Sequence, residues 1–436
     1  MFIEFQVGNF RSFRDIQKFT MQAAPLRAND NGLNEQNVFT QADIRLLKSK
    51  AIYGSNASGK SNLIKAFAAF GLMVMNSVSI ETIPKNIWED SFKLSPDWES
   101  DSVFFQYIFI NDKITYRYGF QISKEKVIHE WLFEVEQQSE KEYLMRNGNE
   151  YVIKKENFIG ADKFIELTNS TGNELIRDNT LFLTAAALNG NIIASKLRNE
   201  IKSVMVVDGI NDNEARQFGM HTLISGNKNQ RKVLNDFVNA GDTGIDNLEI
   251  KEIKENNFEK NFNSNDNSMR KAFSLFSSHI RYDENRKMVD KISVPFGEWE
   301  SEGTSKLFAV GAVILESLEN GRTLLIDEFD ARFHPNLTLK IVDLYNSAKT
   351  NPHNAQIIFV THDTGLLRRA ELRRDQICLV NKDKYGISTI NNLIEFKGVR
   401  KDASYEKEYL NGNYESVPYL GEIDRVIMEN NEVNGL

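Results

Sequence analysis

Gly54-Ser55-Asn56-Ala57-Ser58-Gly59-Lys60-Ser61 is the stretch on which the reading of this chain turns. It matches the pattern GxxxxGK[ST] in full. The apolar Ala51-Ile52-Tyr53 before it reads as a strand, and from Ser61 to about Met75 the apolar Leu63, Ile64, Phe67, Phe70 and Leu72 recur as in a helix. Strand, loop and helix in that order are the setting of a phosphate-binding loop. Glycines let backbone amides curl around phosphates, and the helix N-terminus adds its positive dipole end. Lys60 then reaches the β- and γ-phosphates, and the Ser61 hydroxyl ligates Mg²⁺. The rival reading is a chance Gly-rich turn.

A second stretch fits the first. Thr323-Leu324-Leu325-Ile326-Asp327-Glu328 is an apolar run ending in two carboxylates, so a buried strand delivers both at its C-terminal edge, where open α/β sheets bind ligands. Asp327 is placed to hold Mg²⁺ through water, and Glu328 to orient or deprotonate an attacking water. The bland alternative is a surface turn with two solvated acids. Ile357-Ile358-Phe359-Val360-Thr361-His362 is another apolar strand with a polar end. A lone histidine after a strand is more often structural, but this one follows two matched nucleotide motifs, and a γ-phosphate contact is the expectation.

Around these motifs the chain alternates strands and helices. Strands are expected over 2–7 and 323–326 and at 356–360, with a hairpin of 102–110 and 114–122 about Asn111-Asp112-Lys113 and a further strand at 127–135. Helices are expected near 191–207, 228–240, 305–318 and 335–348, with Gly321 as a stop. The Asn-dense 255–268 reads as a loop. The fold class expected is α/β, with a largely parallel sheet covered on both faces. More than half the chain lies between Lys60 and Asp327, so a substantial insertion leaves the core between them. The division expected is an N-terminal lobe at 1–135, an inserted mainly helical arm or cap at 136–270, and a C-terminal lobe at 271–436.

Composition excludes several classes. With 436 residues, 41% hydrophobic and 26% charged, the chain is neither fibrous nor disordered. One cysteine, Cys378, excludes an intrachain disulfide framework and fits a reducing compartment, so the cytoplasm is expected. No apolar run approaches the roughly 20 residues of a membrane span, and the N-terminus has no basic leader followed by an apolar core. No membrane partner is expected. A net charge of −8 does not indicate DNA binding, although one basic face would suffice for it. Arg368, Arg369, Arg373 and Arg374 form a cluster that reads as a solvated helix face, with a phosphate or acidic-partner contact as the alternative. The six histidines show no zinc-ligand spacing.

These motifs resemble the ATP-binding-cassette ATPases of the SMC and RecF type. In that group a Ser-x-Gly segment opening a helix binds the γ-phosphate of the opposite protomer's ATP. Ser301-Glu302-Gly303-Thr304 stands in the corresponding place here, departing from the LSGGQ form at Glu302 and Thr304; an ordinary helix cap is the alternative. Asp330, after Glu328-Phe329, resembles the D-loop that couples the two sites. No Q-loop glutamine is assigned; Gln106 lies in a strand.

The resemblance narrows at the ends of the chain. Asn9-Phe10-Arg11-Ser12-Phe13, the loop extended to Asn62, Leu325 to Asp330 with His334-Pro335, and Tyr409-Leu410-Asn411-Gly412-Asn413-Tyr414 to Pro418 look like the stand-alone AAA/ABC-type ATPases of antiphage and abortive-infection operons, such as those of PARIS, Septu and RloA-like systems. The resemblance covers the outer thirds. It implies a P-loop NTPase head of ABC/SMC type, with ATP and Mg²⁺ as cofactors, that dimerises head-to-head and controls a separately encoded nuclease or toxin. Higher oligomers stay open, and a RecF-type repair ATPase that binds duplex DNA is the alternative. Arg11 falls in the segment that approaches the nucleotide in relatives; a salt bridge is its other reading. Asp383, Glu395, Asp402 and Glu406 do not reproduce the acidic cluster of OLD-family nucleases, and no nuclease is expected in the chain.

Overall fold

The computed structural model describes residues 1–25, 35–84, 87, 89–96, 102–136, 139–171, 176–253, 272–396, 404–414, 416 and 417. The expected loop at 255–268, Asp402 and Pro418 lie outside the described residues. The chain forms two compact units, Met1–Lys202 with Val360–Leu436, and Ser203–Phe359.

The first unit begins with β1 (Phe2–Gly8), β2 (Gln17–Thr20), β3 (Val38–Gln41), β4 (Ile44–Leu47), β5 (Ser49–Tyr53) and α1 (Lys60–Asn76). There follow β6 (Val103–Asn111), β7 (Ile114–Ile122), β8 (Val127–Val135), β9 (Glu140–Asn147) and β10 (Glu150–Ile153). A seven-stranded sheet runs β10-β9-β8-β7-β6-β1-β2, antiparallel at every pairing. Its core face is aromatic because α1 places Phe67 and Phe70 three positions apart on one side. Phe67 stacks on Phe5 with ring centroids 4.0 Å apart, and Phe70 on Phe120 at 5.4 Å. Burying each such ring contributes about 1.5–3 kcal/mol.

Three helices complete this part: α2 (Asp162–Thr171), α3 (Phe182–Leu188) and α4 (Ile192–Lys202). One buried carboxylate joins α3 to the sheet. Glu130 of β8 accepts from the amides of Phe182 at 2.7 Å and Leu183 at 3.0 Å and from the Tyr118 hydroxyl at 2.9 Å. Arg146 of β9 lies 3.7 Å away and donates to Thr180 O, Gly148 O and Asp178 O. Burial raises the Glu130 pKa, and Arg146 opposes the rise.

The second unit holds β11 (Met205–Asp208), α5 (Asn213–Ser225), α6 (Lys228–Ala240), β12 (Asn247–Ile253), β13 (Ala272–Tyr282) and β14 (Met288–Pro295). It continues with α7 (Glu302–Asn320), β15 (Thr323–Asp327), α8 (Pro335–Asn346) and β16 (Gln356–Val360). β15 pairs in parallel with β11 on one side and β16 on the other, while β12-β13-β14 is a separate antiparallel sheet. Phe308 and Ala312 of α7 pack with Leu223 of α5 and with Leu234 and Val238 of α6. Gly321 ends α7 at φ 63, a left-handed position where a Cβ would also meet His353 O at 2.6 Å. The chain then returns to the first unit with β17 (Ile377–Lys382), β18 (Ser388–Asn392) and α9 (Tyr405–Leu410). There β17 pairs in parallel with β5 and antiparallel with β18.

The expected strands at 2–7, 102–110, 114–122, 127–135, 323–326 and 356–360 are all present. The expected parallel pairing is present, β15 with β11 and β16 in the second unit and β5 with β17 in the first, while the seven-stranded sheet is antiparallel because the short connections from β6 to β10 permit only antiparallel neighbours. The region 136–270 carries α2 to α6, but it is not one contact unit. β9 and β10 extend the seven-stranded sheet, and the helix expected over 191–207 stops at Lys202, before β11. Val206 and Val207 favour a strand, and the partner for that strand, β15, lies too far along the chain for local periodicity to reveal.

Two predictions follow from this packing. Arg146→Met strands a buried carboxylate and is expected to lower unfolding free energy by about 3–5 kcal/mol in urea titration. Cys378 is fully buried, and burial pushes its thiol up to about 12. Ellman's reagent at pH 8 is therefore expected to find no reactive thiol in the native chain and one per chain in guanidinium.

Candidate functional site

In the first unit the loop between β5 and α1 takes a conformation that its glycines make possible. Gly54 has φ 156 and Gly59 φ 114, and Ala57 lies in the left-handed region at φ 61. A Cβ on Gly54 would meet Val380 O at 2.3 Å; one on Gly59 would meet Ser388 Oγ at 2.6 Å and Ser12 Oγ at 2.8 Å. The loop is therefore clasped by β17, β18 and the segment after β1. Ser388 Oγ donates to Ser58 O at 2.5 Å, and Asn62 Nδ2 donates to Ser12 Oγ at 2.8 Å. Lys60 Nζ donates to Gly54 O and Ser55 O, each at 2.9 Å, and the buried Ser58 Oγ has no hydrogen-bond partner.

The closing motif serves the same loop. Tyr409 of α9 packs its ring 5.7 Å from that of Tyr53, the residue before Gly54, and Asn381 of β17 donates to Tyr414 O at 3.4 Å. His362 is exposed directly after β16, beside β5, since the Thr361 amide donates to Ile52 O at 3.2 Å and the Tyr53 hydroxyl to Asp363 O at 3.1 Å. The structure thus brings His362 to the end of the strand that leads into the loop. Arg11 forms an ion pair with Asp90 at 2.5 Å and lies over the Phe10 ring. That is the salt-bridge reading; within its segment, Ser12 is the residue that touches the phosphate-loop helix.

In the second unit Asp327 closes β15 and Glu328 follows at φ 47, its amide accepted by Asp327 Oδ1 at 3.1 Å. Gly209, after β11, lies so close to this edge that a Cβ would meet Asp327 O at 2.3 Å. Ser301 is the N-cap of α7: its hydroxyl accepts from the Thr304 amide at 3.1 Å and pairs with Thr304 Oγ1 at 2.9 Å. Ser301 is exposed and Gly303 partly so, at the mouth of that helix. Asp330 lies in the turn after Glu328 and its carbonyl accepts from Phe333 N at 3.1 Å.

Some features were not anticipated. Lys306 of α7 is fully buried and donates to three carbonyls of the Glu328–Ala331 turn. Its signal in the sequence is a lysine three, four and seven positions before the buried Ala309, Val310 and Val313, on the apolar stripe of a helix. The arginine cluster is not one solvated face. Arg373 is buried against Asp375 at 2.9 Å, Arg369 faces Asp363 at 3.3 Å and Arg368 faces Glu406 at 3.5 Å, because the helix there is only Leu366–Arg369. Gln106 is bound to Arg117 and Trp131 within the sheet. Among the described residues no helix is long and apolar enough to cross a membrane.

Comparison with known proteins fits this geometry. Residues 51–368 match the family model described as "AAA domain, putative AbiEii toxin, Type IV TA system", and the chain belongs to that family. This is an AAA-type P-loop NTPase of the abortive-infection group, in line with the resemblance in its motifs. No protein of curated function matches. Among solved structures, the chain is similar to the SMC head domain from Thermotoga maritima, at 12% identity and a TM-score of 0.41, over 90% of this chain and 98% of that one. A likeness at that level adds nothing to the family assignment.

The capping bond of Ser301 has a measurable stability cost. Ser301→Ala is expected to destabilise by about 1 kcal/mol in chemical denaturation, whereas Ser301→Asp, which also caps, is expected to stay close to wild type.

Proposed function

We propose that this protein is an ATP-hydrolysing switch that closes as a head-to-head homodimer around ATP and controls a separately encoded effector, a nuclease or toxin, in antiphage defence. The observation that carries the reading is the phosphate loop itself, held open in conformations that need Gly54 and Gly59 and leading into α1 at Lys60. Its unpartnered Ser58 hydroxyl and the amides at the start of α1 suit an anion. The hydroxyl of Ser61 and the carboxylate of Asp327 are hard oxygen donors of the kind that hold Mg²⁺ beside phosphate, so the residues fit that ion. Bound there, Mg²⁺ supplies charge neutralisation on the phosphates.

The chain's own groups divide the remaining work. Residues Gly54 to Asn62 hold the triphosphate, and Lys60 neutralises charge on the β- and γ-phosphates. Glu328 orients the attacking water and accepts its proton, while His362 donates to the γ-phosphate. Ser301, Gly303 and Thr304 of one protomer cap the γ-phosphate held by the other, and Asp330 links the two sites. Arg11, paired with Asp90, stands in the segment that also sets Ser12 against the loop, and it approaches the nucleotide from there. Burying two γ-phosphates between protomers couples nucleotide state to dimer geometry, and hydrolysis releases it.

Glu328→Gln tests the reading. It is expected to abolish phosphate release, with ATP retained and an ATP-dependent dimer accumulating in light scattering; unchanged turnover refutes the role. Purified together with the products of its neighbouring genes, the same variant is expected to retain a stoichiometric protein partner. Recovery of DNA alone would instead favour a repair-type sensor.

A further inference from the structure

Lys306 is a buried cation to which the nucleotide motifs assign no task. Its ammonium donates to Glu328 O at 2.8 Å, Phe329 O at 3.1 Å and Ala331 O at 2.7 Å, which uses all three of its protons on one turn of backbone. The same ammonium lies 4.7 Å from the centroid of the Phe333 ring. Burial pushes it down to about 8. Asp330, Asp212 and Glu328 pull the other way, and Arg332 adds to the fall.

A second tie joins the same two segments. Arg332 Nε lies 3.1 Å from Glu302 Oε2, and a Cβ on Gly303 would meet Arg332 O at 2.9 Å. The helix start that bears Ser301 and the turn that bears Glu328 are therefore fastened at two points, one buried and one exposed. Glu328 itself stands at φ 47, a left-handed backbone that a non-glycine residue adopts only where its surroundings hold it. The carbonyl of that strained residue is one of the three that Lys306 binds.

We infer that Lys306 is a positioning residue that locks the Glu328 backbone to the first turns of α7, so that phosphate capture at Ser301 and the reach of the Glu328 carboxylate are set together. The inference rests on the ATPase reading of the site. A lysine that only filled space would be replaceable by methionine at equal turnover. One that positions Glu328 acts on the chemical step and leaves nucleotide affinity alone.

The test compares wild type, Lys306→Met and Lys306→Gln by steady-state phosphate release, by affinity for a fluorescent ATP analogue and by thermal melting. Lys306→Met is expected to lower kcat at least tenfold with affinity and KM within threefold of wild type. Lys306→Gln, whose amide can still donate to two of the carbonyls, is expected to fall between the two. Turnover within twofold of wild type in Lys306→Met, or a loss of affinity that accounts for the loss of turnover, overturns the inference alone. Should Lys306→Met show no cooperative melt, Lys306→Gln decides: a kcat reduced at least threefold at unchanged affinity supports positioning, and a smaller reduction overturns it. A wild-type chain that binds the analogue but releases no phosphate overturns the ATPase reading, and this inference with it.

Discussion

The backbone between Tyr53 and Lys60 is the constraint around which the first unit is arranged. A loop with Gly54 at φ 156, Ala57 at φ 61 and Gly59 at φ 114 is not a conformation a chain drifts into. It persists because its neighbours leave no alternative: Val380 O lies over Gly54, Ser388 and Ser12 crowd Gly59, and Tyr409 closes on Tyr53. Those neighbours come from both ends of the sequence. The segment after β1 and the β17–β18 hairpin thus have a physical reason to belong to the same unit as the loop, although the whole of Ser203–Phe359 separates them in the chain.

This explains why the terminal motifs accompany the phosphate loop. Ser12 and Asn62 are joined by a hydrogen bond, and Ser388 is bound both to Ser58 O through its hydroxyl and to Ser12 O through its amide. Side chains this small are required where three backbones approach so closely, and a bulkier residue at 12 or 388 would collide with the loop. Arg11 is the conspicuous residue in its segment by charge, yet its charge is engaged by Asp90, and the quieter serine beside it makes the contact. A loop approached at 2.8 Å selects for small side chains at that position.

Local periodicity made much of this legible. The strand, loop and helix around Gly54, the apolar run to Asp327, the hairpin about Asn111-Asp112-Lys113 and the stop at Gly321 all express themselves within a window of about ten residues, and each was readable for that reason. What periodicity does not carry is pairing between distant segments. β11 is four residues long and owes its existence to β15, more than a hundred positions away; β9 and β10 read as part of an arm until they are seen to extend the sheet from β8. At the candidate site the same division holds. Lys60 and Ser61 open α1, and Asp327, Glu328 and His362 lie at or just after strand ends, all places that the pattern exposes, whereas the bond network of Lys306 depends on a turn folded back onto a helix.

The two units also differ in how they hold buried charge. Glu130 and Arg146 face one another in a sheet and helix core, each with neutral backbone partners, an arrangement that fixes α3. Lys306 has no carboxylate at hydrogen-bond distance; its partners are three carbonyls of a turn, with Asp330, Asp212 and Glu328 acting on it only through their fields. An ammonium held by carbonyl dipoles and a ring face has no paired opposite charge, so its burial favours the neutral form. The Glu328–Ala331 turn is thus tied to α7 by one buried cation acting on three carbonyls, whereas α3 is tied to its sheet by two opposite charges that answer each other.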